Sequence, residues 1–209
     1  MYEYMDNVLK ALQERYIALF EKLNTLPIDE LNAIPPTKKL YDQLLKLVKK
    51  WYLLIAAHAY RDGWAAAEAK GKKKKEPDLE WLLFLLSEEN PDPVTKYAFI
   101  PEAERKQGRL AEAISASRTQ AERKEEIRKG MKYWTFQSTC GGVRVVDEAT
   151  QKAYKDAGIK RVRWITQEDE KVCAVCHKRN MKIYPIDAIP PKPHPNCRCY
   201  TIPYRGGRR

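Results

Sequence analysis

TKKLYDQLLKLVKKWYLLIAAHAY, residues Thr37 to Tyr60, places Leu40, Leu44, Leu47, Trp51, Leu54 and His58 at alternating steps of four and three. That spacing returns a side chain to one face of an α-helix every turn, so the stretch reads as a long amphipathic helix. Thr37 is the expected N-cap, since its hydroxyl can accept from an amide of the first turn. Working back from it, Leu9, Leu12, Tyr16, Leu19 and Leu23 repeat the same alternation, giving a first helix that runs to about Leu26. Pro27 and the pair Pro35-Pro36 break the chain between the two. Two apolar stripes joined by a short proline-containing connector predict a helical hairpin, the start of a mainly α fold. His58 lies on the second stripe and reads as a partly buried core histidine rather than a ligand.

Working forward, the lysine run KGKKKKEPD (Lys70 to Asp78) reads as a solvated loop, with contact to DNA or phosphate as the competing reading. Asp78 should cap a short apolar helix over LEWLLFLL, packed against the hairpin. NPDPV (Asn90 to Val94) is a break. From Thr95 to about Met131 the chain is rich in Ala, Glu, Arg and Lys and reads as mostly helical, with Pro101 starting or kinking a helix. After Lys132 the texture changes. YWTFQSTCGGVRVVDEAT mixes aromatic and β-branched residues around Gly141-Gly142, so a short hairpin or an irregular loop is expected. Thr150 to Ala157 reads as a helix stopped at Gly158, and IKRVRWIT as a strand with Val162 and Trp164 on one face. These readings divide the chain into a helical part, residues 1–131, and a small α+β part, residues 132–209.

The chain has 209 residues, 39 Lys and Arg against 28 Asp and Glu, and a formal charge of +11. A basic balance of that size favours an anionic partner, nucleic acid or an acidic protein surface, or simply a well-solvated exterior. The longest purely apolar run, Trp81 to Leu86, is far short of the ~20 residues that span a bilayer, and no membrane partner is expected. The amphipathic, partly acidic start lacks the basic end and apolar block of a signal peptide, which predicts a cytoplasmic protein. Of the five cysteines, four cluster near the C-terminus. In a reducing compartment such a cluster reads as metal ligands before disulfides.

Their spacing is Cys173-x2-Cys176, then 17 residues, then His194-x2-Cys197-x-Cys199. A Cys-x2-Cys turn aims two thiolates at one ion, and a second pair downstream can complete a tetrahedron. Thiolates with an imidazole suit zinc; an iron–sulfur cluster typically takes four cysteines and no histidine. Five candidates compete for four places: Cys173, Cys176 and His194, with Cys197 or Cys199 as the fourth. His177 is a weaker candidate because Cys176 is its neighbour. A redox-active Cys-x2-Cys is the alternative, but it leaves His194 and the later cysteines unexplained. A closed four-ligand site has no open position for water or substrate, so the zinc is expected to be structural and the protein not an enzyme. Glu168, Asp169 and Glu170 stand near Cys173 but have no catalytic spacing, and read as a solvated acidic turn. Pro185, Pro190, Pro191, Pro193 and Pro195 stiffen the loop and reduce the entropy it loses on closing around the metal. Cys140 stands apart as a plain thiol.

RWITQEDEKVCAVCHKRN followed by PPKPHPNCRCY resembles the C-terminal module of the Mu F-like minor head proteins, the phage head morphogenesis family. Trp164, Asp169, Cys173, Cys176, His194, Pro195, Asn196, Cys197, Arg198 and Cys199 fit that pattern, and AYKDAGIKRVRW upstream is similar too. FEKLN, TKKLYDQLLKLVKKWYLLIA and NPDPVTKYAFIPEAERKQGRLAEAI resemble, more loosely, minor head proteins of phages from low-GC Gram-positive hosts. Two departures stand out. Members often carry a glycine-containing turn after the second cysteine, where this chain reads KRNMKIY. Arg118-Thr119-Gln120 matches a family Arg-Thr-Glu helix only if residues 131–148 are an insertion. The resemblance implies a structural protein of a tailed phage head, several copies beside the portal, acting in head morphogenesis and DNA packaging. Its implied partners are the portal protein, the major capsid or scaffolding protein, and packaged DNA through non-specific contact. It implies a virion location after assembly in the host cytoplasm, and no reaction chemistry. The competing classes are a zinc-containing nucleic-acid-binding protein, using KGKKKK and the terminal YRGGRR, and a metal-dependent nuclease.

Overall fold

The computed structural model describes residues 2–26, 36–67, 75–87, 89–90, 100–167, 172–195 and 197–206. Among them the chain is mainly helical and ends in a small antiparallel sheet. The helices are α1 (Glu3–Thr25), α2 (Pro36–Ala66), α3 (Leu79–Leu85), α4 (Ile100–Ala116), α5 (Gln120–Asp156) and α6 (Ala174–Arg179). The strands are β1 (Arg161–Ile165), β2 (Ile183–Pro185) and β3 (Tyr200–Pro203). Most of the lysine run, the greater part of NPDPV, and Glu168 to Glu170 lie outside the described residues.

Helices α1, α2 and α5 pack on one another as the body of the protein. Their directions follow from which residues meet. Tyr4 of α1 stacks on His58 near the end of α2, with centroids 3.8 Å apart and planes 6° from parallel. Further along α1 and earlier in α2, Tyr16 and Tyr41 both meet the edge of Trp134 in α5, at 6.0 and 5.2 Å. Helix α1 therefore runs antiparallel to α2, as the hairpin reading expects. Tyr52 of α2 donates its hydroxyl proton to the Ser138 carbonyl at 2.6 Å, and Gly63 lies against Thr150 and Ala153, so α2 and α5 run in parallel. Asp78 caps α3 as expected, its carboxylate accepting from the Glu80 amide at 2.9 Å.

The buried face of α2 departs from the expected stripe. Leu40 and Leu44 are buried, but further along the core takes Val48, Tyr52, Ile55, Ala56 and Ala59. Leu47, Trp51 and His58 are half-buried and Leu54 is exposed. An alternation of three and four averages 3.5 residues, whereas the helix turns every 3.6, so such a stripe drifts by about 20° per heptad. Over a 31-residue helix the drift moves the core contact across by one residue. Helix α2 is described from Pro36 onward, so Thr37 lies within it; the Thr37 side chain, and with it the expected cap, lies outside the described residues. Proline at a first helical position forfeits nothing, because that amide has no intrahelical partner.

The larger correction concerns Tyr133 to Thr150, expected as a hairpin or loop. They lie within α5, a helix of 37 residues that passes without interruption through residues 131 and 132. Its start is fixed by a capping box: the Thr119 hydroxyl accepts from the Glu122 amide at 3.2 Å, and the Glu122 carboxylate accepts from the Thr119 amide at 3.3 Å. The residues that read as strand, Trp134, Val143, Val145 and Val146, are all buried against α1 and α2. Burial in a helical core outweighs a propensity deficit of a few tenths of a kcal/mol per residue. Gly142 marks close packing rather than a turn. A Cβ there would stand 3.1 Å from Met5 Sδ and 3.3 Å from Leu9 Cδ1. The close approach of α1 offsets the roughly 1 kcal/mol that a mid-helix glycine costs.

Helix α5 ends where expected. Gly158 takes φ +82°, its amide donates to Lys155 O at 3.0 Å, and the Ile159 amide donates to Tyr154 O at 2.9 Å. These are the two bonds of a Schellman cap, and Ile159 packs back on Tyr154 as such caps favour. The chain then enters β1, the centre of a three-stranded antiparallel sheet in the order β2-β1-β3. Val162 faces Tyr154 and Ala67, and Trp164 faces the cysteines, so one alternating strand closes two small cores.

Candidate metal centre

Cys173 stands just before α6 and caps it, its sulfur accepting from the Cys176 amide at 3.4 Å. One helical turn then brings Cys176 back beneath it. The proline-rich segment returns the chain, and β3 follows directly after Cys199. The result is two triads sharing one residue. Ligand atoms of Cys173, Cys176 and His194 lie within 4.8 Å of one another, and so do those of Cys176, Cys197 and Cys199. Cys176 Sγ and Cys197 Sγ are 3.5 Å apart. Two thiolates on a tetrahedral zinc, each at ~2.3 Å, would stand roughly 3.8 Å apart, so the sulfurs already approach the spacing that an ion requires. All five expected ligands come together in this one cluster, which could hold a metal ion. His177 stands outside it, exposed on α6. Cys140 is buried in α5, away from the cluster.

The donors differ in exposure. Cys176, Cys197 and Cys199 are buried, Cys173 is half-buried and His194 is exposed. His194 Nδ1 lies 3.0 Å from the Pro195 carbonyl; in the tautomer that donates there, Nε2 keeps the lone pair a metal would use. The Cys173 thiol is drawn down to about 7, chiefly by the Cys176 amide that bonds its sulfur. Burial pushes the Cys176 and Cys199 thiols up. A divalent cation reverses that cost, because it holds the thiolates directly.

Trp164 walls the cluster, fully buried beside Cys176, Cys197 and Cys199. The Arg179 guanidinium lies 5.3 Å from its ring centroid and donates to the Pro191 carbonyl at 2.6 Å, tying α6 to the proline loop. The turn after α6 takes the place of the glycine-containing turn noted above. Here Met181 adopts φ +63° while its amide bonds Trp164 O at 2.8 Å. A side chain in the left-handed region costs roughly 1–2 kcal/mol, and Met181 is exposed, so its side chain supplies little in return. Met181→Gly is expected to raise the stability of the C-terminal module by about 1 kcal/mol, read as a higher denaturant midpoint at unchanged slope.

A second set of contacts, with no local signal in the sequence, fastens this module to α1 and α5. Arg198, between the two cysteines, forms a two-pronged ion pair with Asp6, at 2.8 and 2.5 Å. The Tyr2 hydroxyl stands 3.0 Å from Asp147 Oδ1 and 3.1 Å from the Cys199 carbonyl. Lys192 completes the knot, with Nζ 2.6 Å from Asp147 Oδ2 and 2.7 Å from both Tyr2 Oη and the Cys197 carbonyl. Burial raises the Asp147 carboxyl, with Lys192 pulling against it, and burial followed by Asp147 raises the Tyr2 phenol. Half-buried, bidentate pairs of this kind hold geometry better than exposed ones. The carbonyls of Cys197 and Cys199 thus bond the knot while their sulfurs face the cluster. Asp6 and Lys192 are otherwise ordinary charges in a charged sequence. Only the fold brings Asp6 to Arg198 and Lys192 to Tyr2, across separations of 192 and 190 residues.

No protein family, no curated protein and no solved structure matches the chain.

Proposed function

We propose that this chain is a structural, non-catalytic assembly protein: a minor head protein of a tailed phage, seated beside the portal and closed at its C-terminus by one structural zinc ion. The observation that carries the reading is the use made of four residues in the HPNCRC signature. His194, Cys197 and Cys199 join Cys173 and Cys176 in one cluster, while Arg198 between them grips Asp6 of α1. In this reading the segment fastens a small module to a helical body. The thiolate-rich donor set favours zinc, and with four donors engaged the ion has no open position. The portal-associated role follows from the family resemblance over residues 153–200.

The test is co-expression of the chain with the portal, scaffolding and major capsid proteins of its own genome. The expected result is that it co-purifies with portal-containing heads in several copies per head, and that heads formed without it package DNA poorly. Heads that assemble and package normally without the chain, and never retain it when it is supplied, would contradict the reading.

A further inference from the structure

On the outer face of the sheet, opposite the cysteines, Arg161 and Arg163 stand two residues apart on the central strand. Both guanidiniums lie over the Tyr204 ring, at 5.3 and 5.0 Å from its centroid. Neither has a carboxylate in ion-pair reach among the described residues; the Nε of Arg163, which has no hydrogen-bond partner, is buried. Among the described residues, Glu76 pairs with Arg61, Asp156 with Lys75 and Lys152, and Asp187 with Lys155. Register places Ile183 and Ile202 beside Arg163 on the same face, so no acid flanks it across either neighbouring strand. Arg205 adds a third cation, donating to the Ala67 carbonyl.

We infer that this face, Arg161 and Arg163 held over Tyr204 with Arg205 alongside, binds the phosphate backbone of duplex DNA. A guanidinium clamped on an aromatic ring has lost its rotamer freedom in advance and keeps donors for phosphate oxygens, and here it has no carboxylate to displace among the described residues. Backbone contact needs no base readout, so binding is sequence-independent and falls steeply with salt. This face would then be where the protein meets the packaged DNA that the family resemblance implies as a partner. Binding there does not depend on the metal or on the portal, so it can fail while those hold.

The experiment titrates the full chain against a mixed-sequence 30-base-pair duplex over a range of salt concentrations. Arg161→Gln with Arg163→Gln should weaken binding about tenfold or more at 0.1 M salt and lower the slope of log K against log salt by roughly 2. The exposed single variant Arg161→Gln should lower it by about 1, which covers the case of a double variant that fails to fold. Arg109→Gln with Arg118→Gln removes the same charge toward the other end of α5: Arg118 lies just before its first residue and Arg109 beside Leu110, which packs on Gly130, about 40 Å of helix from Asp156. At that distance, beyond a Debye length of about 10 Å, the slope should not change. Equal losses in both double variants would overturn the inference, since they would show a general charge effect. So would absence of duplex binding, or binding of poly-glutamate in its place.

Discussion

Replacing Cys176 with serine is expected to unfold the C-terminal module while leaving the helical body folded. Cys176 is the one residue common to both ligand triads, so its loss breaks whichever set of four the metal selects. Structural zinc contributes about 10–16 kcal/mol of apparent binding energy to small metal domains, which is as much as a whole domain's stability. Around the cluster the apolar packing is thin: Trp164 with Cys176, Cys197 and Cys199, helped by part-buried Val172, Tyr184 and Ile189. The body has its own core in Leu12, Tyr16, Leu44, Tyr52, Ile55, Trp134 and Val143. Hydrogen exchange should therefore show amides of residues 161–203 losing protection, while the middles of α1, α2 and α5 keep theirs. One effect should reach beyond the module. Tyr2 and Asp6 lose the Cys199 carbonyl and Arg198, so the first turn of α1 should also exchange faster. Unchanged protection throughout would mean that the cysteines are merely buried thiols.

Trp134→Ala should be the most costly single change in the helical body. Trp134 is 1% exposed and wedged between Tyr16 and Tyr41, so it joins all three long helices at one point. Truncating a buried tryptophan typically costs 3–5 kcal/mol, which for a chain of this size lowers the melting temperature by about 10 °C. Far-UV helicity at 20 °C should persist and the melt should shift. A melt unchanged within about 2 °C would place Trp134 at the surface, as a hairpin over Tyr133 to Thr150 would have done.

How far the sequence discloses this protein differs between local and distant features. Apolar period, the caps at Asp78 and Gly158, and the Cys-x2-Cys with its His and two later cysteines are short-range patterns. The first two rest on residues a few positions apart, the last on two short clusters 17 residues apart, and each is legible. The capping box at Thr119 and Glu122 was equally legible as Thr-x-x-Glu, and it marks the start of the longest helix. Gly141-Gly142 misleads because a glycine pair signals a turn only when nothing packs on it. Here α1 does, and sequence alone does not place Met5 beside Gly142. The stripe of α2 is legible in period and not in phase, since the core it meets is formed by both α1 and α5. The knot of Tyr2, Asp6, Asp147, Lys192 and Arg198 was beyond reach for the same reason. Ion pairs between opposite ends of a chain leave no periodic trace.

Metal content and coordination of the purified full chain provide the most direct check on the central claim, that a metal ion staples the C-terminal module. Elemental analysis should find about one zinc per chain, and X-ray absorption should show sulfur-rich four-fold coordination at ~2.3 Å with no exchangeable water. A metal-free chain whose residues 161–203 remain protected from hydrogen exchange would contradict it.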